Sequence, residues 1–351
     1  MITVSKSIPQ NKKKVYNNFV IFFRIKHIYL TDNKNQPKGG TVVGKMKTFK
    51  PEGQIISTEE NKRSLSGAFA LRDAYYAETV LEGRVIRCDS EHNLHVDLGC
   101  MKGIIPRIEG AIGIEEGTVR DIALISRVNK PVCFVITGFR TEKGETTAIL
   151  SRRKVQQDCT ETYISSLCPG DVIPATVTHI EGFGVFCDIG AGISALMPID
   201  SISVSRIPHP SARFTPGQNI FAVVKSVDAE GRITLSHKEL LGTWEENAEL
   251  FNVGETVPGI VRSVEKYGIF VELTPNLAGL AEFSDGVEPG SHAGVYIKSI
   301  IPSKMKIKLI IVDCFDADYP ASPPRYFIND GHIDRWQYSP DESPKTIESE
   351  F

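Results

Sequence analysis

The sequence predicts a mainly β protein made of three tandem five-stranded barrels joined by short helices. Short runs rich in Val, Ile and Phe alternate with Gly, Pro and Asp turns between residues 79 and 313, which is typical of many short strands that close into barrels or sandwiches. Part of this region repeats at a fixed spacing. Each copy ends in a further pair of strand-like runs, which gives five strands per copy.

The internal repeat carries most of this prediction. The segment GDVIPATVTHIEGFGVFCDI, from Gly170, aligns without a gap on GETVPGIVRSVEKYGIFVEL, from Gly254, at an offset of 84 residues. Six of the 20 positions are identical and seven more are conservative exchanges, and such self-similarity indicates tandem modules. A weaker third copy begins near Val80, where LEGRVIRC and NLHVDLG match PATVTHI and GVFCDIG.

These patterns divide the chain into eight segments. We predict a basic, disordered arm or misassigned leader (1–57), a helix (58–78), a degenerate first barrel (79–152), a linker helix (153–168), a second barrel (169–238), a second linker helix (239–252), a third barrel (253–313) and an acidic, proline-rich tail (314–351). The tail is either disordered or folds back through its aromatic residues, which are Phe315, Tyr319, Trp336 and Tyr338.

Charge is divided unevenly along the chain. Residues 1–50 contain 11 Lys and Arg against one acid, Asp32, and carry +10, which leaves −13 for residues 51–351 within the total of −3. A protein that grips duplex DNA through many phosphates shows a basic domain. The acidic body therefore indicates that any nucleic-acid site relies on local charge and on stacking.

Two interpretations fit residues 1–45, which are rich in Lys and Asn and precede Met46. They form either a basic arm that binds RNA or the ribosome, or an upstream extension from a misassigned start codon. Their apolar run, Phe19–Phe23, is far shorter than the roughly 20 residues that cross a bilayer. No small-residue cleavage site follows it. We expect a cytoplasmic protein that is neither secreted nor inserted into a membrane.

No sequence motif points to catalysis, a metal or a cofactor. The seven cysteines are widely spaced and include no C-x-x-C pair, which favours reduced thiols in a cytosolic protein. The sequence contains no phosphate-binding loop, no nucleophile elbow and no H-E-x-x-H motif. We predict a monomeric protein that is not an enzyme, has no cofactor and has no metal site.

Strings in the second and third copies resemble a known family. FGVFCDIG and YGIFVEL, followed by ALMPIDSIS and AGLAEF, are similar to the RNA-binding domain of bacterial small-subunit ribosomal protein S-one, which belongs to the OB-fold superfamily. The segment ISVSRIPHPSARFTPGQ also looks like the loop and fourth strand of that protein. The resemblance covers about residues 79–313 and implies three tandem OB-fold barrels of the S-one type.

Paired aromatic residues are the main candidates for an RNA site. Phe183 lies at a glycine-rich turn and Phe186 in the next strand, and Tyr267 and Phe270 repeat that spacing. Because strand residues alternate between faces, the neighbours of Phe186 fill the barrel and its own ring points outward. A base stacked on such a ring gains about 1 to 3 kcal/mol with little dependence on base identity. In the alternative interpretation the rings are core residues.

The resemblance implies further RNA-binding residues in the second copy. The family joins a His, an Asp and an Arg to the aromatic pair. The Asp and Arg match Asp228 and Arg232, whereas Pro198 takes the His position. One partner of the aromatic pair is therefore missing.

The third copy matches the same pattern less closely. Lys306 takes the Arg position after a shift of one residue, and Lys266, which precedes the aromatic pair, joins the candidate set. Glu282 takes the His position, where its charge would repel phosphate.

The first copy departs furthest from the family. His92 and His95 stand at the aromatic positions, Pro106 at the His position and Thr147 at the Arg position. A metal site would need a third ligand, and none is near in the sequence. We interpret the two histidines as solvated surface residues and expect this barrel to bind protein or to serve structure.

The loop before the fourth strand of the second copy is a further candidate. It carries Arg206, His209 and Arg213, and an Arg guanidinium supplies a planar fork of donors for a phosphate. The loop either clamps a phosphate or is simply solvated.

Two hypotheses for function follow from these features. The leading one is sequence-tolerant binding of single-stranded RNA, above all mRNA, at the small ribosomal subunit during translation. The alternative is an adaptor that binds proteins in an RNA-processing or degradation assembly, with its aromatic faces buried at interfaces.

Overall fold

The computed structural model describes residues 49–316 and 323–351. The predictions for residues 1–48 and for Tyr319 lie outside the described residues. Among the described residues, no helix is long and apolar enough to cross a bilayer.

Three closed five-stranded barrels make up most of the described chain, and the predicted fold class is confirmed. Barrel 1 contains β1 (Leu81–Cys88), β2 (Leu94–Asp97), β3 (Lys102–Ile105), β4 (Pro131–Glu142) and β5 (Glu145–Ser151). Barrel 2 contains β6 (Val172–Glu181), β7 (Gly184–Asp188), β8 (Ser194–Pro198), β9 (Asn219–Val227) and β10 (Ile233–Ser236). Barrel 3 contains β11 (Thr256–Glu265), β12 (Gly268–Thr274), β13 (Leu277–Ala281), β14 (His292–Ile301) and β15 (Lys306–Phe315).

The three barrels share one topology. The first strand pairs antiparallel with the second and fourth, the second with the third, and the fourth with the fifth. A parallel contact between the third and fifth strands closes each barrel. Alternation of side chains fills the interior, and in β7 Val185 and Cys187 are fully buried on either side of Phe186.

A glycine begins the second strand of barrels 2 and 3 because the backbone of the third strand lies too close for a side chain. A Cβ at Gly184 would lie 2.4 Å from the Met197 carbonyl oxygen, and one at Gly268 would lie 2.5 Å from that of Ala281. The same packing therefore fixes both turns that carry the candidate rings.

The predicted helices are present in shorter pieces. The helix predicted over 58–78 is two helices, α1 (Glu59–Ser64) and α2 (Ala68–Tyr76), and α3 (Ile122–Ile125) lies within barrel 1. The first linker contains α4 (Arg152–Asp158) followed by a π turn and a 3-10 turn. The second linker is a 3-10 turn, Lys238–Leu241, and then α5 (Trp244–Ala248), because Gly242 between them has a φ of 83°.

Residues 49–57 are not part of a disordered arm, and the prediction for this stretch was wrong. The carboxylate of Glu82 in β1 accepts hydrogen bonds from the amides of Gly53, Ile55 and Ile56. Glu52 forms a two-pronged ion pair with Arg152, at 2.6 and 3.0 Å. The Glu52 amide also donates to Asp188 in β7, so this stretch connects barrel 1 to barrel 2.

Residues 323–351 fold back, which is one of the two alternatives for the tail, and they contain a two-stranded sheet of β16 (Arg335–Gln337) and β17 (Glu348–Glu350). Trp336 and Tyr338 are buried in the cluster that also contains the core of barrel 3. The ring of Tyr326 lies edge-on to Phe221 and to His237 of barrel 2. The segment therefore packs on both barrels and helps to join them.

Candidate nucleic-acid interface

The strand register aligns one row of outward side chains across each barrel. In barrel 2, four residues on neighbouring strands lie opposite one another and so stand side by side across the sheet. We call these four residues the outer row: His179, Phe186, Leu196 and Thr234. A register shift between Val177 and His179 sets His179 opposite Phe186. The outer row of barrel 3 contains Ser263, Phe270, Leu280 and Lys308. That of barrel 1 contains Arg87, His95, Ile104 and Ile149.

The two predicted ring pairs lie on the outer surface of barrels 2 and 3. Phe183 is 58% exposed and Tyr267 is 70% exposed, whereas Phe186 and Phe270 are partly buried. The centroids of Phe183 and Phe186 are 6.1 Å apart with planes at 89°, and those of Tyr267 and Phe270 are 6.2 Å apart with planes at 86°. Each pair is thus an edge-to-face corner, in which the turn residue leaves a face open to a base.

His179 is a candidate that the sequence did not reveal. Its ring lies 6.4 Å from that of Phe186 with an interplanar angle of 27°, and its Nε2 is 2.7 Å from the Glu181 carboxylate. The ring is exposed and extends the aromatic surface of barrel 2 by one member. The repeat gave no signal, because the corresponding residue of barrel 3 is Ser263.

Asp228 and Arg232 meet at the turn between β9 and β10. The Arg232 Nε donates to Asp228 at 2.6 Å, and the same carboxylate accepts from the Arg232 amide at 2.8 Å. The hydrogen bond from Arg232 holds the pKa of Asp228 below its usual value. The guanidinium is 77% exposed, so a phosphate could share it with the carboxylate.

The strand register shows which lysines of barrel 3 correspond to the candidate residues of barrel 2. Thr234 and Lys308 occupy equivalent positions opposite Leu196 and Leu280, which makes Lys306 the counterpart of Arg232. Lys266 and Lys306 are exposed, and Lys266 precedes Tyr267 in the turn between β11 and β12. Sequence matching missed Lys308, although the same register places it beside Leu280 in the outer row.

The three candidate residues in the loop before β9 have different environments. Arg206 is exposed, and His209 caps a 3-10 turn over Pro210–Ala212 by accepting from the Ser211 amide. A Cβ at Gly182 would lie 4.0 Å from Cδ2 of His209, so this ring lies beside the turn that carries Phe183.

Arg213 has a different role from the predicted one. Its side chain is only 10% exposed and forms an ion pair at 2.5 Å with Glu272 of barrel 3. The guanidinium is therefore committed to the junction between barrels 2 and 3, and we remove Arg213 from the set of phosphate-binding candidates.

Barrel 1 lacks an aromatic pair at the equivalent positions. His95 is 14% exposed and pairs with Asp89 at 3.0 Å, so it is not the freely solvated residue that we predicted. The hydrogen bond from His95 lowers the pKa of Asp89 to about 2. Among residues 49–316 and 323–351, no group of three His, Cys, Asp or Glu side chains is placed to hold a metal ion.

Comparison with known proteins agrees with the family resemblance. Residues 167–238 match the family model described as "S1 RNA binding domain", the same RNA-binding domain that FGVFCDIG and ALMPIDSIS resemble. Barrel 2 is thus similar to this RNA binding domain, and the predicted resemblance is confirmed.

Similar curated proteins are ribosomal. The small ribosomal subunit protein bS1 homolog of Bacillus cereus is 32% identical over 240 residues, which cover 64% of this chain and 60% of that protein. The small ribosomal subunit protein bS1 of Leuconostoc lactis is 27% identical over 267 residues, which cover 71% of this chain and 60% of that protein. This chain spans about 60% of the length of these relatives.

Proposed function

We propose that the protein binds single-stranded RNA through the ring pairs of barrels 2 and 3, without catalysis. The observation that carries the proposal is the repetition of one exposed edge-to-face ring pair at the same place on two barrels. Rings in a core would be enclosed, whereas Phe183 and Tyr267 are mostly exposed. The match of barrel 2 to an RNA binding domain supports the same conclusion.

The geometry favours binding that tolerates many base sequences. Stacking on an aromatic face contributes about 1 to 3 kcal/mol per base, and every base offers a π-face. Few cations flank the rings, and residues 51–351 carry a net charge of −13. We therefore expect modest affinity and a shallow dependence on salt, because few phosphates are neutralised.

The biological ligand that we propose is mRNA, bound in the cytoplasm at the small ribosomal subunit by a monomer of this chain. The names of the relatives support the ribosomal setting. An unstructured message offers the unpaired bases that the rings require, since bases inside a duplex are already stacked.

Binding of an oligouridine 20-mer to the full chain tests this proposal. The variant Phe183→Ala/Phe186→Ala/Tyr267→Ala/Phe270→Ala should lose binding, measured by fluorescence anisotropy, while its circular dichroism spectrum stays unchanged. The matched control is Phe69→Ala/Tyr76→Ala, which removes two rings that are 83% and 81% exposed on α2. Undiminished affinity of the quadruple variant would refute the proposal.

Barrel 1 supports a second candidate function, that of a protein-binding adaptor. Phe69 and Tyr76 lie seven residues apart on one face of α2 and are 83% and 81% exposed, and an exposed apolar surface of this kind is typical of an interaction site. Purification of the native protein with and without ribonuclease separates the two functions. Partners that persist after the RNA is digested favour the adaptor.

A further inference from the structure

We propose that barrel 2 prefers guanine among the RNA bases, because the carboxylate of Glu181 lies beside its ring pair and accepts hydrogen bonds from the edge of a base. This inference rests on the proposed RNA binding and adds a base preference to it. Stacking on the rings still accepts every base, so the preference is one of degree. It follows from the contact of Glu181 with His179 and from that of His179 with Phe186.

Glu181 lies on the same outward face as the ring pair of barrel 2. It is the last residue of β6 and is paired with Gly184, at the turn that carries Phe183. Its Oε1 is 2.7 Å from Nε2 of His179, whose ring centroid is 6.4 Å from that of Phe186. A base whose face stacks on these rings therefore has its edge within reach of a carboxylate.

The contact with His179 orients this carboxylate. An ionised carboxylate only accepts hydrogen bonds, so Nε2 of His179 carries a proton and donates it to the bond with Glu181. Both groups remain open to solvent, since 65% of the His179 side chain and 46% of the Glu181 side chain are exposed. A carboxylate has about four acceptor positions on its two oxygens. The bond to His179 uses one of them, and the others face solvent or RNA.

Guanine is the base whose edge matches a carboxylate. Its N1–H and its exocyclic amino group are adjacent donors, and two parallel N–H groups suit the two oxygens of a carboxylate. Adenine and cytosine present an amino group beside a bare ring nitrogen, and uracil presents one N–H between two carbonyls. In these three bases a lone pair lies next to the donor and repels the carboxylate. Unpaired RNA bases leave this edge free for recognition.

An acidic side chain beside an RNA site otherwise weakens binding. A carboxylate repels phosphates, and residues 51–351 already carry a net charge of −13. A charge-assisted pair of hydrogen bonds from guanine offsets this repulsion, because such bonds are about twice as strong as neutral ones. In the alternative interpretation Glu181 is a solvated surface residue, and the affinity then does not depend on the base.

Barrel 3 provides an internal comparison. Glu265 takes the place of Glu181 at the repeat offset of 84, but Ser263 lies opposite Phe270 where barrel 2 has His179. The Glu265 side chain is exposed. Because no histidine orients this carboxylate, it loses more side-chain entropy when it binds a base. We therefore expect barrel 3 to discriminate between bases less than barrel 2 does.

Binding of short oligonucleotides with one varied base measures the preference. In the full chain with Tyr267→Ala/Phe270→Ala, only the ring pair of barrel 2 remains, and a strand of roughly 6 nucleotides fits one OB fold. Uridine 6-mers carry a central uridine, cytidine, adenosine, guanosine or inosine. The guanosine 6-mer should bind at least about fivefold more tightly than the uridine 6-mer, as expected for a two-pronged contact to a base. Adenosine controls for the larger stacking area of a purine, and inosine, which lacks the amino group, should bind more weakly than guanosine.

The variant Glu181→Gln tests whether the carboxylate causes the preference. It should weaken binding of the guanosine 6-mer about fivefold, while the uridine 6-mer binds as well or better because a repelling charge is removed. Glu142→Gln, which removes an exposed carboxylate from barrel 1, should change neither affinity. The reciprocal variant, Ser263→His in a chain with Phe183→Ala/Phe186→Ala, should increase the guanosine preference of barrel 3.

The outcomes separate this inference from the proposed function. Equal affinity for all the 6-mers would leave RNA binding intact and overturn the guanine preference. A preference that persists in Glu181→Gln would also overturn it, because another group would then recognise the base. Absence of binding to every 6-mer would contradict the proposed function, and this inference would fail with it.

Discussion

Barrels 1 and 2 present the same row of positions and different chemistry. In barrel 2 the outer row holds Phe186 beside His179, and the exposed ring of Phe183 completes a corner. In barrel 1 the place of Phe186 is taken by His95, which Asp89 holds by a hydrogen bond. The shared barrel fold therefore fixes the positions of the outward side chains. The residue types at a few of these positions determine whether RNA bases can stack on the surface.

Barrel 3 extends the comparison to charge. It keeps the ring pair, and Lys308 stands where barrel 2 has Thr234 and barrel 1 has Ile149. The Arg232 guanidinium of barrel 2 is shared with Asp228. Barrel 3 should therefore depend more on salt than barrel 2, although the stacking surfaces are alike.

The largest expected effect comes from removing one ring pair at a time. Phe183→Ala/Phe186→Ala and Tyr267→Ala/Phe270→Ala each remove two stacking faces, which at about 1 to 3 kcal/mol per base should weaken 20-mer binding at least about 30-fold. The equivalent change in barrel 1, His92→Ala/His95→Ala, should change the affinity less than twofold. A comparable loss from barrel 1, measured by anisotropy, would erase the proposed difference between the barrels.

Acid should destabilise the core of barrel 2 through His237. Burial lowers the pKa of His237 to about 4, so between pH 6.5 and 4 the unfolded chain binds a proton that the folded chain excludes. The stability contributed by neutral His237 is complete above pH 6.5 and falls by roughly 3 kcal/mol toward pH 4. His237→Asn should flatten this part of the curve in urea titrations, and parallel curves for the two proteins would contradict the assignment.

Weakening the packing of the C-terminal segment on barrel 2 should have a smaller effect on stability. The Tyr326 hydroxyl lies 3.1 Å from Nε2 of His237 and accepts from the Phe221 amide at 3.1 Å. Tyr326→Phe leaves these buried groups unpaired and should lower the free energy of unfolding by about 1 to 3 kcal/mol. Binding of the oligouridine 20-mer should not change, since Tyr326 lies outside both ring pairs; weaker binding would link this segment to the RNA site.

The smallest effect on RNA affinity should come from adding or removing a single lysine. Lys308→Met removes about one phosphate contact from barrel 3, so the slope of log affinity against log salt should fall by about 0.7, with a loss of a few-fold at low salt. Thr234→Lys in barrel 2 should raise the slope by a similar amount. Slopes that stay unchanged in both variants would mean that the outer row does not meet the RNA backbone.

Much of the fold, and the positions of the ring pairs, could be predicted from local patterns in the sequence. The period of two in strands and the 84-residue repeat were enough to predict tandem five-stranded modules and the position of each ring pair, and the family resemblance implied that these modules are barrels. The missed features depend on segments far apart in sequence: residues 49–57 join two barrels, and Arg213 pairs with Glu272, 59 residues away. His179 was missed because only the register shift in β6 reveals that it faces Phe186.

Photocrosslinking tests most directly the central claim that unpaired bases stack on the two ring pairs. Ultraviolet irradiation of the full chain bound to oligouridine, followed by mass spectrometry of the peptides, reports which side chains lie against a base. The account predicts crosslinks at Phe183 or Phe186 and at Tyr267 or Phe270, and none at His92 or His95. Crosslinks confined to barrel 1, or absent from both ring pairs while the RNA stays bound, would contradict it.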